Sequence, residues 1–297
     1  MRRFFRLLRP LLVLAAIVTW ASGQARQVHS ADSTPKFPIE IPMRTEGGMP
    51  AIELMLNGKG PFHFAIDTGA EGGPRLDSSL VEKLGLKPSG QIREGDPSGR
   101  NPRMAETVKL DSIEVGGLRF TGVDAISRDY KNYPRPLAAD GIIGLGLFPE
   151  YLLTLDFPGK VVRISRGELT KADGLEILDY KNEHGVPLVE LSVGTRKINA
   201  RLDSGNMIGA FVFPTSFVEK LTQTSEPVVV GKARSASGEM EIKQVQIKEM
   251  VRLGRHEFPD ATITFPALSD IGNVGAKILS QFAATFDQQH HRVRLIR

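Results

Sequence analysis

The chain has 297 residues, 41% apolar and 24% charged, the make-up of a globular protein long enough for one large or two modest domains with real cores. Its formal charge of +4 comes from Arg2, Arg3, Arg6 and Arg9, in a first stretch of 25 residues that holds no acid. The remainder is neutral and gives no case for nucleic acid or an anionic membrane surface as partner. Cysteine is absent, which excludes disulfides, thiol chemistry and a lipid-modified cysteine anchor.

From the start, a basic segment (Met1 to Arg9) leads into an apolar run (Leu11 to Ala21) and then into Ser22, Gly23 and Ala25. This is the layout of a secretory signal peptide, expected over residues 1–25. The run is short of the roughly 20 residues of a membrane span. Only if it stayed uncleaved would it tether the protein to a membrane. The expected location is exported, either periplasmic or secreted, and the lack of disulfides fits a bacterial exterior. Residues 26–45, with Pro35, Pro38 and Pro42, read as a linker or lead-in strand.

Beyond residue 45 the chain is written twice. Pro50-Ala51-Ile52-Glu53-Leu54 is echoed by Pro187-Leu188-Val189-Glu190-Leu191, and Asp67-Thr68-Gly69 by Asp203-Ser204-Gly205. Leu80 to Leu84 is echoed by Phe217 to Leu221, each spaced as a short amphipathic helix. Strand-like segments Glu106 to Ile113 and Glu241 to Ile247 lead to glycine turns at Gly116-Gly117 and Gly254. Gly144 precedes Asp156 by 12 residues, as Gly275 precedes Asp287. Strand patterns follow at Val161 to Ile164 and Arg292 to Ile296. Matching positions are offset by 137, 136, 137 and 131 residues. The register predicts an all-β fold of two homologous lobes with short helices, at 46–167 and 184–297, joined by a linker at 168–183.

Each Asp-Thr/Ser-Gly closes an alternating stretch. Apolar residues stand one, three and five positions before the Asp: Ile66, Phe64 and Phe62 in one lobe, Leu202, Ala200 and Ile198 in the other. That is strand periodicity, so each Asp sits where a strand breaks into a turn. Two such carboxylates meeting at a shared axis cannot both ionise comfortably, and they titrate as a unit. The ionised member can take a proton from water while the protonated one donates to a substrate carbonyl. Asp67 and Asp203 are the candidate catalytic residues. Thr68 and Ser204 supply hydroxyls that can bond across the pair, and Gly69 and Gly205 permit the tight turn that presents both acids.

With these motifs the chain resembles the aspartic peptidases of the pepsin and retropepsin group, over nearly all of both lobes. In that family each lobe carries Asp-Thr/Ser-Gly and, later, two apolar residues and a glycine that thread behind it. Asp67-Thr68-Gly69-Ala70 and Ile142-Ile143-Gly144 fit, as do Leu147-Phe148 and Leu155-Asp156. The second lobe departs at Asn206, where Thr or Ala is usual, and at Asn273 in Asn273-Val274-Gly275. The flap region, about Asp96 to Met104, has no Tyr, and its counterpart Ser235 to Gly238 is small and polar. Lobes of this size and two short flaps point to a single-chain, bilobal, retropepsin-like bacterial form. The resemblance implies an aspartic endopeptidase acting on a peptide or protein substrate as a monomer.

A non-catalytic periplasmic peptide-binding module on the same fold is the alternative, motivated by the absent Tyr, Asn206 and Asn273. Other chemistries find little support. The histidines (His29, His63, His184, His256, His290 and His291) show no metal-ligand spacing, and no metal or cofactor is expected. Gly272 to Lys277 lacks the spacing of a phosphate loop and its Ser/Thr after Lys. No Gly-x-Ser-x-Gly occurs. Asp156 and Asp287 read as turn residues after strands rather than acids of the cleft.

Overall fold

The computed structural model describes residues 35–94, 103–131, 137–235, 238–267 and 270–297. Among these the strands form three sheets. One sheet runs in the order Arg44–Glu46, Met49–Leu56, Lys59–Ile66, Gly141–Ile143, Arg75–Asp77, Leu118–Arg128, Arg103–Val115, Pro88–Glu94. Its hairpins are set by turn chemistry. Asn57-Gly58 joins Leu56 to Lys59 and Gly116-Gly117 joins Val115 to Leu118, each pair with both φ values positive, as a tight two-residue hairpin needs.

The second sheet repeats this plan. Its order is Val228–Ser235, Gly238–Gln246, Thr262–Phe265, Phe211–Val212, Gly272–Val274, Arg196–Leu202, Val186–Val193, Val251–Leu253, His256–Phe258. In both sheets the strand entering the Asp pairs in parallel with the short strand that precedes the threading glycine. Phe64 to Ile66 run beside Gly141 to Ile143, and Ala200 to Leu202 beside Gly272 to Val274. The same alternation that marks these strands in the sequence buries their apolar face: Phe62, Phe64 and Ile66, then Ile198, Ala200 and Leu202, are all buried.

The third sheet is built from both halves of the chain, in the order Ile39–Pro42, Val161–Ser165, Leu152–Asp156, Ala283–Asp287, Arg292–Ile296, Ile177–Asp179. Its centre is an antiparallel pairing of equivalent strands in which Thr154 faces Thr285. The segment read as a linker supplies the edge strand Ile177–Asp179 here and Lys181–Glu183 against Val186–Val193. Ile39–Pro42, within the expected lead-in, pairs with Val161–Ser165. Phe148, Phe211, Phe213, Phe282 and Phe286 belong to one continuous core. Burying side chains of that size, at ~2–3 kcal/mol each, is the main force holding the sheets together.

The helices are short. Ser78–Leu84 begins two residues before the expected start because Asp77 caps it, accepting from Ser79 N, and Gly85 ends it in the left-handed conformation at φ 68°. The second-lobe helix is shorter than expected, at Thr215–Val218. The carbonyl of Pro214 accepts the amides of Phe217 and Val218, which sets the start early, and the chain leaves the helix after Val218. Residues 1–34 and the tips of the two expected flaps, 95–102 and 236–237, lie outside the described residues. The flap stems are the hairpins Pro88–Glu94 with Arg103–Val115 and Val228–Ser235 with Gly238–Gln246.

Candidate active site

Each Asp sits at the end of its strand because the parallel neighbour carries the ladder one residue past it. Asp67 N donates to Ile143 O at 2.9 Å and Asp203 N to Val274 O at 3.0 Å. The turns then close identically, Ala70 N on Asp67 O at 3.1 Å and Asn206 N on Asp203 O at 3.2 Å. Each carboxylate accepts the amide of its own glycine, Gly69 N on Asp67 Oδ1 at 2.8 Å and Gly205 N on Asp203 Oδ1 at 3.0 Å.

The threonine and serine between them join the two turns. Thr68 Oγ1 donates to Leu202 O at 2.7 Å and accepts from Ser204 N at 3.0 Å. Ser204 Oγ donates to Ile66 O at 2.7 Å and accepts from Thr68 N at 3.0 Å. Both side chains are fully buried, so four main-chain groups at the lobe junction are satisfied by two hydroxyls.

With the turns locked, the carboxyl groups of Asp67 and Asp203 come within electrostatic and hydrogen-bonding reach of each other, each lying against the glycine of the opposite turn. Burial and the adjacent Asp203 charge push the Asp67 carboxyl up to about 8, against a partial offset from Gly69 N and the Arg75 guanidinium. The glycines matter for a reason other than a left-handed turn. A Cβ on Gly69 would fall 2.5 Å from Asp203 Cγ, and one on Gly205 would collide with the Asp67 carboxylate. Each glycine leaves the space that the opposite acid occupies. Gly144 and Gly275 are tight in the same way, against the carbonyls of Ala70 and Gly209.

The structure thus brings together all six residues singled out by sequence: Asp67, Thr68, Gly69, Asp203, Ser204 and Gly205. It also adds two. Asn273 Nδ2 donates to Asp203 Oδ2 at 2.6 Å, and Asn206 Nδ2 donates to Asn273 Oδ1 at 2.6 Å. In sequence these asparagines read only as departures from a pattern. The signal available was that both fall beside the same Asp. Asp156 and Asp287 lie at the ends of strands in the third sheet, where Asp156 takes Gly159 N and Arg163, and Asp287 takes Leu169 N and His290.

Such an arrangement, two adjacent carboxyls over a pair of cross-bonded turns, can hold one proton and exchange it with a bound water and a carbonyl oxygen. Residues 52–147, which span Asp67 and the first threading segment, match the family model described as aspartyl protease. No curated protein matches the chain.

Proposed function

We propose that this member of the aspartic peptidase family is an endopeptidase that cleaves peptide bonds between its two β lobes, with Asp67 and Asp203 sharing one proton. The observation that carries the reading is the Thr68 and Ser204 exchange, which sets each carboxylate against the glycine of the opposite turn and so brings the two acids together. The ionised carboxylate takes a proton from water as the water oxygen attacks the peptide carbonyl carbon. The protonated one gives its proton to the carbonyl oxygen. The resulting diol collapses as the leaving nitrogen takes a proton from one acid and a hydroxyl returns one to the other. The C–N bond breaks, and the dyad is left with a single proton again.

The two flap stems would cover an extended peptide held by main-chain hydrogen bonds. Val228, Val229 and Val230 on one stem and Met104 on the other are exposed apolar side chains that suit such a ligand. The protein would act outside the cytoplasm, as a monomer, on peptide or protein substrates. The high Asp67 proton affinity supports a dyad that keeps its proton through neutral pH and loses it near about 8, so the rate falls on that side.

Cleavage of a mixed peptide library from about pH 4 to 8 tests this, with Asp67→Asn and Asp203→Asn beside the wild type. Cleavage that drops by about 10²-fold or more in both variants is expected. A wild type that binds peptides and cuts none would replace the reading with a peptide-binding clamp.

A further inference from the structure

The repeat that places the two acids does not give them the same surroundings. Three residues past Asp67 stands Ala70, and on the neighbouring parallel strand Ile142. The same two places around Asp203 hold Asn206 and Asn273. In the first lobe neither side chain can donate a hydrogen bond; in the second both can.

The orientation of the two amides follows from a group with no choice. Ile208 N–H, a backbone donor, points at Asn206 Oδ1 at 2.9 Å. Asn206 must therefore present its NH2 elsewhere, and it does so to Asn273 Oδ1. Asn273 then has only its own NH2 to offer Asp203 Oδ2. Donor and acceptor alternate along this relay from the backbone to the carboxylate. Asp203 ends with a donor on each oxygen, Gly205 N and Asn273 Nδ2, besides its contact with Asp67. Asp67 has Gly69 N and that contact.

We propose that Asn273, oriented by Asn206, is a positioning residue that holds Asp203 as the ionised member of the pair and leaves the shared proton on Asp67. N–H donors favour the charged form of the carboxylate they reach, and at the places equivalent to Asn206 and Asn273 the first lobe has Ala70 and Ile142, which have none to give. The direction in which burial moves Asp67 agrees. On the elements packed around the pair, the other charged groups are arranged as follows. Arg75 lowers the proton affinity of Asp67 in part. Arg201 pairs with Glu183. Asp77 caps the helix Ser78–Leu84 and takes Tyr130 N. Asp140 accepts His63 N, and the His63 ring lies between Glu46 and Glu53. Lys277 stands on the short helix after Gly275. The consequence for the reaction, which rests on the peptidase reading above, is that Asp203 takes the proton from water and Asp67 donates to the carbonyl oxygen.

The test compares wild type with Asn273→Val, which copies the apolar character of the first lobe, Asn206→Ala, which frees the Asn273 amide, and Asn273→Ser, which keeps a donor. Two readouts are followed: the pH profile of peptide cleavage and a carbon-13 NMR titration of the aspartate carboxyls, which needs no turnover. Asn273→Val is expected to raise the lower apparent pKa of the pair by about 1–2 units, the effect of losing a hydrogen bond to a charged group. The acid limb of the profile should move with it, with kcat falling more than KM rises. Asn206→Ala should move both the same way by less, and Asn273→Ser should restore most of the shift. A titration of folded Asn273→Val that superimposes on wild type overturns the proposal while leaving cleavage, and so the peptidase reading, in place. A shifted titration in a protein that cuts no peptide sustains the proton placement and removes the peptidase reading. If Asn273→Val does not fold, an unshifted Asn206→Ala overturns the proposal.

Discussion

Thr68 and Ser204 each hold the other's main chain: the hydroxyl of one accepts the amide of the other and donates to the carbonyl two residues before it. The exchange spans 136 residues of sequence and fixes the relative position of two turns that carry one acid each. The relative position of the two carboxyl groups therefore depends on two fully buried side chains.

Thr68→Val keeps the shape but leaves Ser204 N–H and Leu202 C=O unpaired in a fully buried place. A loss of about 2–6 kcal/mol is expected, since each of the two stranded buried groups costs about 1–3 kcal/mol. Thr68→Ser should keep both bonds and lose less than about 1.5 kcal/mol. Urea unfolding of the three proteins checks this, and equal midpoints for the Val and Ser variants would rule it out.

The raised proton affinity of Asp67 makes stability depend on pH. The native state keeps a proton on Asp67 up to about 8, whereas the unfolded chain releases it near the ordinary 3.8. Between these values the native state binds more protons, so stability falls as pH rises through that window. Asp67→Asn cannot ionise and escapes the loss. Its stability relative to wild type should therefore grow from pH 4 to pH 8, by on the order of a few kcal/mol. Thermal melts at both pH values measure the difference, and a constant offset would contradict it.

How far the sequence carried the reading depends on the range of the interaction. Alternation before Asp67 and Asp203 and the Gly116-Gly117 turn are local patterns, and with the register of the repeat they lead to the strands, a hairpin and the pair of acids. Apolar spacing puts the second-lobe helix at Phe217 to Leu221, later than Thr215–Val218, because its start is set by the Pro214 carbonyl instead. Of the third sheet, single strands are legible at Val161 to Ile164 and Arg292 to Ile296, but not their assembly into one sheet. Its central pairing joins residues more than a hundred positions apart, such as Leu153 with Phe286, and nothing in either segment names its partner. The Asn206 and Asn273 relay was half visible. Both residues stood out in sequence, yet their hydrogen bond crosses 67 positions and exists only because the parallel strand sets Asn273 beside Asp203.

Gly69 faces the carboxylate of Asp203 so closely that its replacement separates fold from activity. Its backbone does not occupy the left-handed region, so Gly69→Ala suffers no strain from φ. The new Cβ meets Asp203 Cγ at 2.5 Å and must push that acid aside. Displacements of about 1 Å at reacting groups can cost about 10²-fold, and kcat should fall by at least that much. Stability should change by only about 1–3 kcal/mol, the usual cost of overpacking. Cleavage kinetics and urea unfolding on the same preparation test the split. A variant that loses stability but retains kcat would show that the acid does not need the space.

Thr154 and Thr285 meet at the centre of the sheet shared by both lobes, with their hydroxyls 2.9 Å apart and buried. Each is the other's partner, so the two positions should be strongly coupled. Thr154→Val alone strands the Thr285 hydroxyl and should cost about 1–3 kcal/mol, as should Thr285→Val. The double Val variant removes both polar groups at nearly constant shape, and should recover most of that loss. A double-mutant cycle measured by urea unfolding reads the coupling directly. Single-variant costs that simply add would mean that water or backbone already satisfies each hydroxyl, and that the pair contributes nothing to joining the lobes.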